Sequence, residues 1–205
     1  MTAKNDLKST QQYWDREAIS FDNEPNHGLR PASIRHAWTN LLQTWLPGNR
    51  CELLDLGCGT GSLTVLLAGL GHQLAGVDLS PVMLTHAQAK ARAASLSIPF
   101  QVMNAAEPCF APACFDGLIC RHVLWALPQP DRVLQHWAAL LRPHGRLILV
   151  EGFWSAGGGL HAAELIPMLP AWFKLVFVQS LSDRPDFWGK EVNDERYVVV
   201  ADLAS

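Results

Sequence analysis

The sequence predicts an α/β fold built on a mostly parallel sheet with helices on both faces. Three observations predict it. Strand-like and helix-like patterns alternate from about residue 50 onward. The apolar run Leu53-Leu54-Asp55-Leu56 enters a glycine-rich turn at 57–61. A second apolar run, Gln73 to Val77, ends on Asp78. Strands separated by helices imply right-handed crossovers and parallel pairing, with ligands bound beyond the carboxyl ends of the strands.

Residues 1–46 lie outside the alternation and form an N-terminal arm with two helix candidates, Ser9 to Ile19 and Pro31 to Leu46. The cofactor-binding core occupies 47–152. Cys51 to Leu56 reads as a strand, Ser62 to Leu70 as a helix and Gln73 to Val77 as a strand. Ser80-Pro81 gives an N-cap followed by proline at the first helical position. That helix runs through Met83, Leu84, Ala87 and Ala91 to about Ser95. Phe100 to Met103 and Phe115 to Arg121 are strands. Asp131 caps a helix with Val133, Leu134, Trp137, Leu140 and Leu141 at helical spacing, Pro143-His144-Gly145 ends it, and Arg146 to Val150 is a strand. Residues 153–205 hold the C-terminal strands and loops. They comprise a Gly157-Gly158-Gly159 joint, a helix candidate His161 to Met168 broken at Pro167, and two strands, Phe173 to Leu181 and Arg196 to Asp202. No helix is predicted between these two, so they pair as an antiparallel ribbon.

Bulk properties narrow the function. At 205 residues the chain reads as a single domain with room for a substantial core, and 49% hydrophobic against 17% charged residues is globular. A net charge of −3 with no basic run argues against nucleic acid. The polar start Met1 to Asp6 leads into no signal-peptide core, and no stretch would span a bilayer, so the expectation is a cytoplasmic protein, monomeric or homodimeric. The five cysteines form no C-x-x-C pair, so neither a disulfide framework nor a zinc site is indicated. Cys58 sits inside the glycine turn, where a small side chain fits.

Glycine without Cβ lets a ligand approach the backbone, and the helix after the turn points its N–H groups toward it. An acidic residue about 20 residues on suits a ribose with two free hydroxyls. Together they predict a nucleoside-containing cofactor. A nicotinamide site wants G-x-G-x-x-G, but position 62 is Ser. A P-loop needs a G-K-[ST] ending that is absent.

Asp55-x-Gly57-x-Gly59-x-Gly61 resembles motif I of class I S-adenosylmethionine-dependent methyltransferases. Val77-Asp78-Leu79-Ser80-Pro81, Phe115-Asp116 and Leu140-Leu141-Arg142-Pro143-His144-Gly145-Arg146-Leu147 are similar to later signatures of the ubiquinone/menaquinone-methyltransferase-like branch, type 11. Arg121 to Pro128 with Asp194-Glu195-Arg196-Tyr197 looks like a subgroup of small bacterial methyltransferases. The resemblance implies a Rossmann-like fold with a seven-stranded sheet whose last strand is antiparallel. It also implies S-adenosylmethionine as donor and S-adenosylhomocysteine as product.

By the same resemblance Gly57, Cys58, Gly59 and Gly61 approach the cofactor. Asp55 anchors the loop or meets the amino group, and Asp78 takes both ribose hydroxyls. Leu79 and Met83 pack on the adenine. Asn104 and Ala105 stand where the family often has Gly-Asp-Ala, and the Asn104 carbonyl still offers an acceptor to the adenine amino group. Arg121 would hold the cofactor's carboxylate or an acidic substrate. His122, directly after a strand, is the candidate base or hydroxyl polariser. The arm would close over the site, bringing Tyr13, Trp14 and His27 near the methyl. Trp125, Trp154, Trp172 and Trp188 would line an aromatic acceptor pocket, while Trp38, Trp45 and Trp137 belong to the core. The expected acceptor is a small, partly apolar molecule, methylated on O, N, S or C. The alternatives are a nicotinamide-dependent oxidoreductase and a non-catalytic cofactor-binding partner subunit. No carboxylate/histidine cluster has metal-ligand spacing.

Overall fold

The computed structural model describes residues 7–204, so the polar start Met1 to Asp6 lies outside the described residues. Eight helices and eight strands follow in the described part. The arm holds α1 (Leu7–Glu17), α2 (Pro25–Gly28) and α3 (Ala32–Trp45). The core continues with β1 (Glu52–Leu56), α4 (Ser62–Gly69), β2 (Gln73–Asp78), α5 (Pro81–Ala93), β3 (Phe100–Val102), β4 (Phe115–Arg121), α6 (Pro130–Leu140) and β5 (Leu141–Trp154). The C-terminal part adds β6 (Gly158–Gly159), α7 (Ala162–Leu165), β7 (Phe173–Ser180), α8 (Pro185–Trp188) and β8 (Glu195–Leu203).

The sheet runs β3-β2-β1-β4-β5-β8-β7, with β6 paired to the end of β5. The first five strands are parallel; β8 pairs antiparallel with both β5 and β7, so of these seven strands it alone runs against the rest. Side chains alternate between the two faces, as a pleated strand requires. Leu54 and Leu56, Leu118 and Cys120, and Leu147 and Leu149 meet α6 through Val133, Leu134 and Trp137. Leu53, Ile119, Ile148 and Val150 meet α3, α4 and α8 through Trp38, Leu42, Trp45, Leu67 and Phe187. Burial on both faces explains why these strands read as continuous apolar runs. Three of the buried indoles have an N–H partner: Trp38 donates to the Phe187 carbonyl at 3.1 Å, Trp137 to the Ala105 carbonyl at 2.7 Å and Trp188 to the Leu181 carbonyl at 2.8 Å.

Several boundaries differ from the sequence expectation. Leu141 pairs with Phe115 and Arg146 with Gly117, so 142–145 bulge out of β5, with His144 at φ 64°. The expected turn is therefore a bulge inside a longer strand. The glycine joint is not a free linker, because Gly158 and Gly159 pair with Trp154 and Phe153. The four-residue α8 does separate β7 from β8 in the chain, yet they still pair antiparallel. Gln129, not Asp131, stands at the N-cap of α6, with Pro130 at its first position. Among the described residues, no helix is long and apolar enough to cross a membrane.

Candidate active site

A cavity of about 1190 Å³ opens at the carboxyl ends of β1, β2 and β4. This exceeds the roughly 300–1,000 Å³ typical of a single small-ligand pocket, leaving room for a cofactor and a second molecule. Of the residues singled out in the sequence, Asp55, Gly57, Cys58, Gly59, Asp78, Leu79, Met83, Asn104, Ala105, Arg121 and His122 line its floor. Tyr13, Trp14 and His27 from the arm, and Trp125 and Trp154 from beyond β4 and β5, form the walls. Gly61 is not on the cavity surface. A Cβ there would lie 2.7 Å from Ala87 Cβ, so this glycine lets α4 and α5 pack. Trp172 lies half exposed at the start of β7 and Trp188 is buried behind His122; neither lines the cavity.

The glycine turn is tied to β2 rather than open to the ligand. Gly57 and Cys58 N–H both donate to the Val77 carbonyl at 2.9 Å. Gly59 N–H donates to Asp78 Oδ2 at 2.9 Å, and Gly61 N–H to the Cys58 carbonyl at 2.9 Å. Four loop donors that an anion cradle would use are thus engaged internally, contrary to the picture of N–H groups pointing at the ligand. Gly57, at φ 71°, also has the Val123 side chain where a Cβ would stand, 2.5 Å away.

Asp78 accepts from Gly59 N–H and, at 2.8 Å, from Ser80 N–H. A carboxylate has about four lone-pair sites, so two remain for a ligand. Burial pushes its carboxyl up, and the backbone donors oppose that. Asp55 accepts from Thr64 Oγ1 at 2.5 Å, tying β1 to α4, and burial raises its carboxyl to about 6. Asn104 uses its side-chain carbonyl on Ala106 N–H at 3.0 Å, so only the second lone pair can meet an adenine. Burial raises the Cys58 thiol well above its usual range, which makes it a space-filling group and not a nucleophile.

His122 departs most from expectation. It adopts φ 60°, stacks on Trp188 at 5.8 Å and meets Trp154 edge-on at 5.2 Å. Its Nε2 is buried without a partner. Burial first, then the charges of Arg121 and Arg196, hold its pKa well below the ordinary 6.5. A lowered pKa makes the ring a weaker base than its position suggested. His27, stacked on Phe21 at 4.2 Å, is likewise lowered by burial, to about 4.

Two features were given no role from the sequence, although Glu151 stood out by its place at the end of a strand. Lys90 of α5 donates to Asp22 Oδ1, Thr60 Oγ1 and Ser62 Oγ at 2.9, 2.8 and 2.7 Å, and Ser80 Oγ donates to Asp15 Oδ1 at 2.5 Å. These bonds fasten the arm to the glycine turn and to the residue after Leu79. The other feature is Glu151 at the end of the parallel part of β5. Its Oε1 accepts from Val123 and Leu124 N–H at 3.1 and 2.8 Å, while Oε2 is buried unpartnered. It therefore pins the segment that carries His122 and Trp125.

Burial raises the Glu151 carboxyl from 4.5 to about 8. The folded state holds this proton where the unfolded chain has released it. The group's contribution to stability is therefore fully present below pH ~4.5 and is lost as pH rises to ~8. Glu151→Gln, which stays neutral, is expected to gain about 4 kcal/mol on wild type between pH 5 and pH 9. Denaturant titrations of both proteins at the two pH values check this; a gap that does not widen with pH would contradict it.

Fold and site together define a Rossmann-like protein with a cavity at the ends of β1, β2 and β4. More narrowly, the chain carries a region similar to class I S-adenosylmethionine-dependent methyltransferases of type 11: residues 54–149 match the family model described as a methyltransferase domain. The ubiquinone biosynthesis O-methyltransferase of Xanthomonas campestris pv. campestris (strain B100) is 31% identical over 142 residues, which is 67% of this chain and 55% of that protein. The chain thus spans about half the length of the curated relatives it matches. Among solved structures, geranyl diphosphate C-methyltransferase from Streptomyces coelicolor A3(2) superposes with a TM-score of 0.78 over 100% of both chains at 15% identity. The cyclase SpnF superposes with a TM-score of 0.72 over 82% of this chain and 80% of that one at 22% identity. Likenesses at these identities bear on the fold alone.

Proposed function

We propose that the chain binds S-adenosylmethionine and transfers its methyl group to a small, partly apolar or aromatic molecule. One observation carries this over a nicotinamide site. The loop N–H groups that would cradle a pyrophosphate are engaged with Val77 and Asp78, while Asp78 keeps acceptor capacity for two hydroxyls. The site suits a nucleoside without phosphates.

In this reading Asp78 takes the ribose hydroxyls and Leu79 and Met83 flank the adenine. Asn104 and Ala105 meet its edge. Gly57 and Gly59 leave room for the amino-acid tail, with Asp55 and Arg121 beyond it. Residues 1–46 act as a lid, 47–152 as the cofactor core and 153–205 as the support of the acceptor wall. Tyr13, Trp14, His27, Trp125 and Trp154 enclose the acceptor. The bound donor supplies an activated methyl; the chain supplies orientation and exclusion of water. The neutral His122 ring backs the acceptor wall through its contacts with Trp154 and Trp188.

Incubation with labelled S-adenosylmethionine and a panel of phenols, thiols and amines tests the proposal. Label in an extractable product supports it, whereas binding of the donor with no product from any class would leave a non-catalytic binding subunit. On the acceptor so found, the wild-type rate is expected to show no His limb near pH 6.5. His122→Gln should lose less than about tenfold, below the 10²–10⁴ of a general base. A limb near 6.5 that disappears in the variant would restore the base role.

A further inference from the structure

Trp125 and Trp154 line the cavity, and the three glycines at 157–159 stand behind them, off its surface. Gly157, at φ 85°, closes the three-residue turn 155–157 between β5 and β6, where the chain needs a left-handed residue, and its N–H donates to the Trp154 carbonyl at 2.8 Å. Gly159 sits at φ 115°, and a Cβ there would collide with the Gly152 carbonyl oxygen. The backbone therefore demands glycine at 157 and 159. It makes no such demand at Gly158, whose φ is not positive. Gly158 pairs with Trp154, and cross-strand partners in an antiparallel pair present their side chains on one face. Gly158 leaves its half of that face empty, and the Trp125 ring occupies it. A Cβ on Gly158 would meet Trp125 Cζ3 at 3.3 Å and Cη2 at 3.5 Å. The two indoles form a corner, with ring centroids 5.2 Å apart and planes tilted by 53°.

Other groups hold the corner from behind. Trp125 Nε1 donates to the His122 carbonyl at 3.1 Å, and Glu151 fixes the backbone of Val123 and Leu124 just before it. The Arg196 guanidinium lies 5.3 Å from the Trp154 ring and donates to Asp194, which in turn accepts from Ser155 N–H at 2.7 Å in the turn. Trp154 is thus braced by its own hairpin and by β8. Trp125 comes from the segment after β4, is 37% exposed, and has the hairpin on one side and the cavity on the other. Resting on the methyltransferase reading, we propose that Gly158 is a specificity-determining residue: the empty place opposite Trp154 seats the Trp125 ring and so sets the width of the pocket for the flat, apolar part of the acceptor. A side chain at 158 fills that place and drives the ring into the cavity, because close-packed neighbours have no void to absorb it. Position 158 then selects acceptors by ring width without touching them.

The test measures binding of two neutral probes, benzyl alcohol and 2-naphthalenemethanol, to the complex with S-adenosylhomocysteine by calorimetry. Wild type is expected to take both. Gly158→Leu should weaken the naphthyl probe by about tenfold or more and the benzyl probe by less than about threefold, with S-adenosylhomocysteine affinity unchanged. Gly158→Ala asks the ring to give by only a few tenths of an ångström, so it should move the same ratio the same way by less. It carries the test if thermal melts show that Gly158→Leu does not fold. In a Trp125→Ala background, Gly158→Leu should change naphthyl affinity by less than about twofold, because the ring it displaces is gone. Equal weakening of both probes, no weakening of either, or an effect that survives without Trp125 overturns the inference. So does a wild type that binds neither probe, or a loss of S-adenosylhomocysteine affinity in Gly158→Leu, which would give the hairpin to the cofactor. Failure of S-adenosylhomocysteine to bind wild type would instead defeat the cofactor assignment.

Discussion

Asp78→Ala is expected to weaken S-adenosylhomocysteine binding by more than 100-fold. The carboxylate reaches the cavity from the end of β2 with lone pairs left for two hydroxyls. Hydrogen bonds to a charged group are worth about 1.5–3 kcal/mol each, so losing two removes at least ~3 kcal/mol, a factor above 100. The substitution also frees Gly59 and Ser80 N–H, which loosens the turn itself. Asp78→Asn separates the two effects. Its amide carbonyl can still accept one bond, so it should bind between wild type and Asp78→Ala. Calorimetric titration of the three proteins, with thermal melts to confirm folding, checks the order. Equal affinity in wild type and Asp78→Ala would remove the residue from the cofactor site.

Gly61→Ala is expected to destabilise the fold by about 2–5 kcal/mol while leaving cofactor affinity nearly intact in the folded protein. Gly61 sits at φ 74°, and a Cβ would meet Ala87 Cβ at 2.7 Å and Phe100 Cζ at 3.4 Å. The left-handed backbone contributes about 1–2 kcal/mol and overpacking about 1–3 kcal/mol. Ala87→Gly in the same chain should recover the steric part, offset by about 1 kcal/mol of lost helix propensity. Gly71 is the comparison: its φ is 97°, but nothing lies within 4 Å of a Cβ, so Gly71→Ala should show the conformational part alone. Denaturant midpoints of wild type and the three variants check the series. A Gly61→Ala protein as stable as Gly71→Ala would refute the packing role.

Much of this molecule was legible in the sequence because its signals are local or periodic. The apolar runs around Leu54, Val77, Ile119 and Leu149 mark strands buried on both faces. The Ser80-Pro81 pair marks the start of α5, and Ser80 Oγ does accept from Met83 N–H at 3.0 Å. The turn at 57–61 placed the cavity. Relations between distant elements were not legible. Val77 O and Asp78 capture the loop N–H groups only because β1 and β2 are neighbours, which no spacing reveals. The Lys90 grip on Asp22 joins residues 68 apart in sequence. Glu151 reads as one acidic residue ending a strand, and only the fold shows it buried under Val123 and Leu124. His122 looked like a base because its position was visible and its burial between Trp154 and Trp188 was not.

The central claim is that the turn between β1 and α4 holds an S-adenosyl nucleoside rather than a dinucleotide. Calorimetric titration with S-adenosylhomocysteine, with NADH as control, tests it most directly. Micromolar binding of S-adenosylhomocysteine, on the order of 8 kcal/mol, is expected, with no heat from NADH. NADH binding without S-adenosylhomocysteine binding would contradict it and return the glycine turn to redox chemistry.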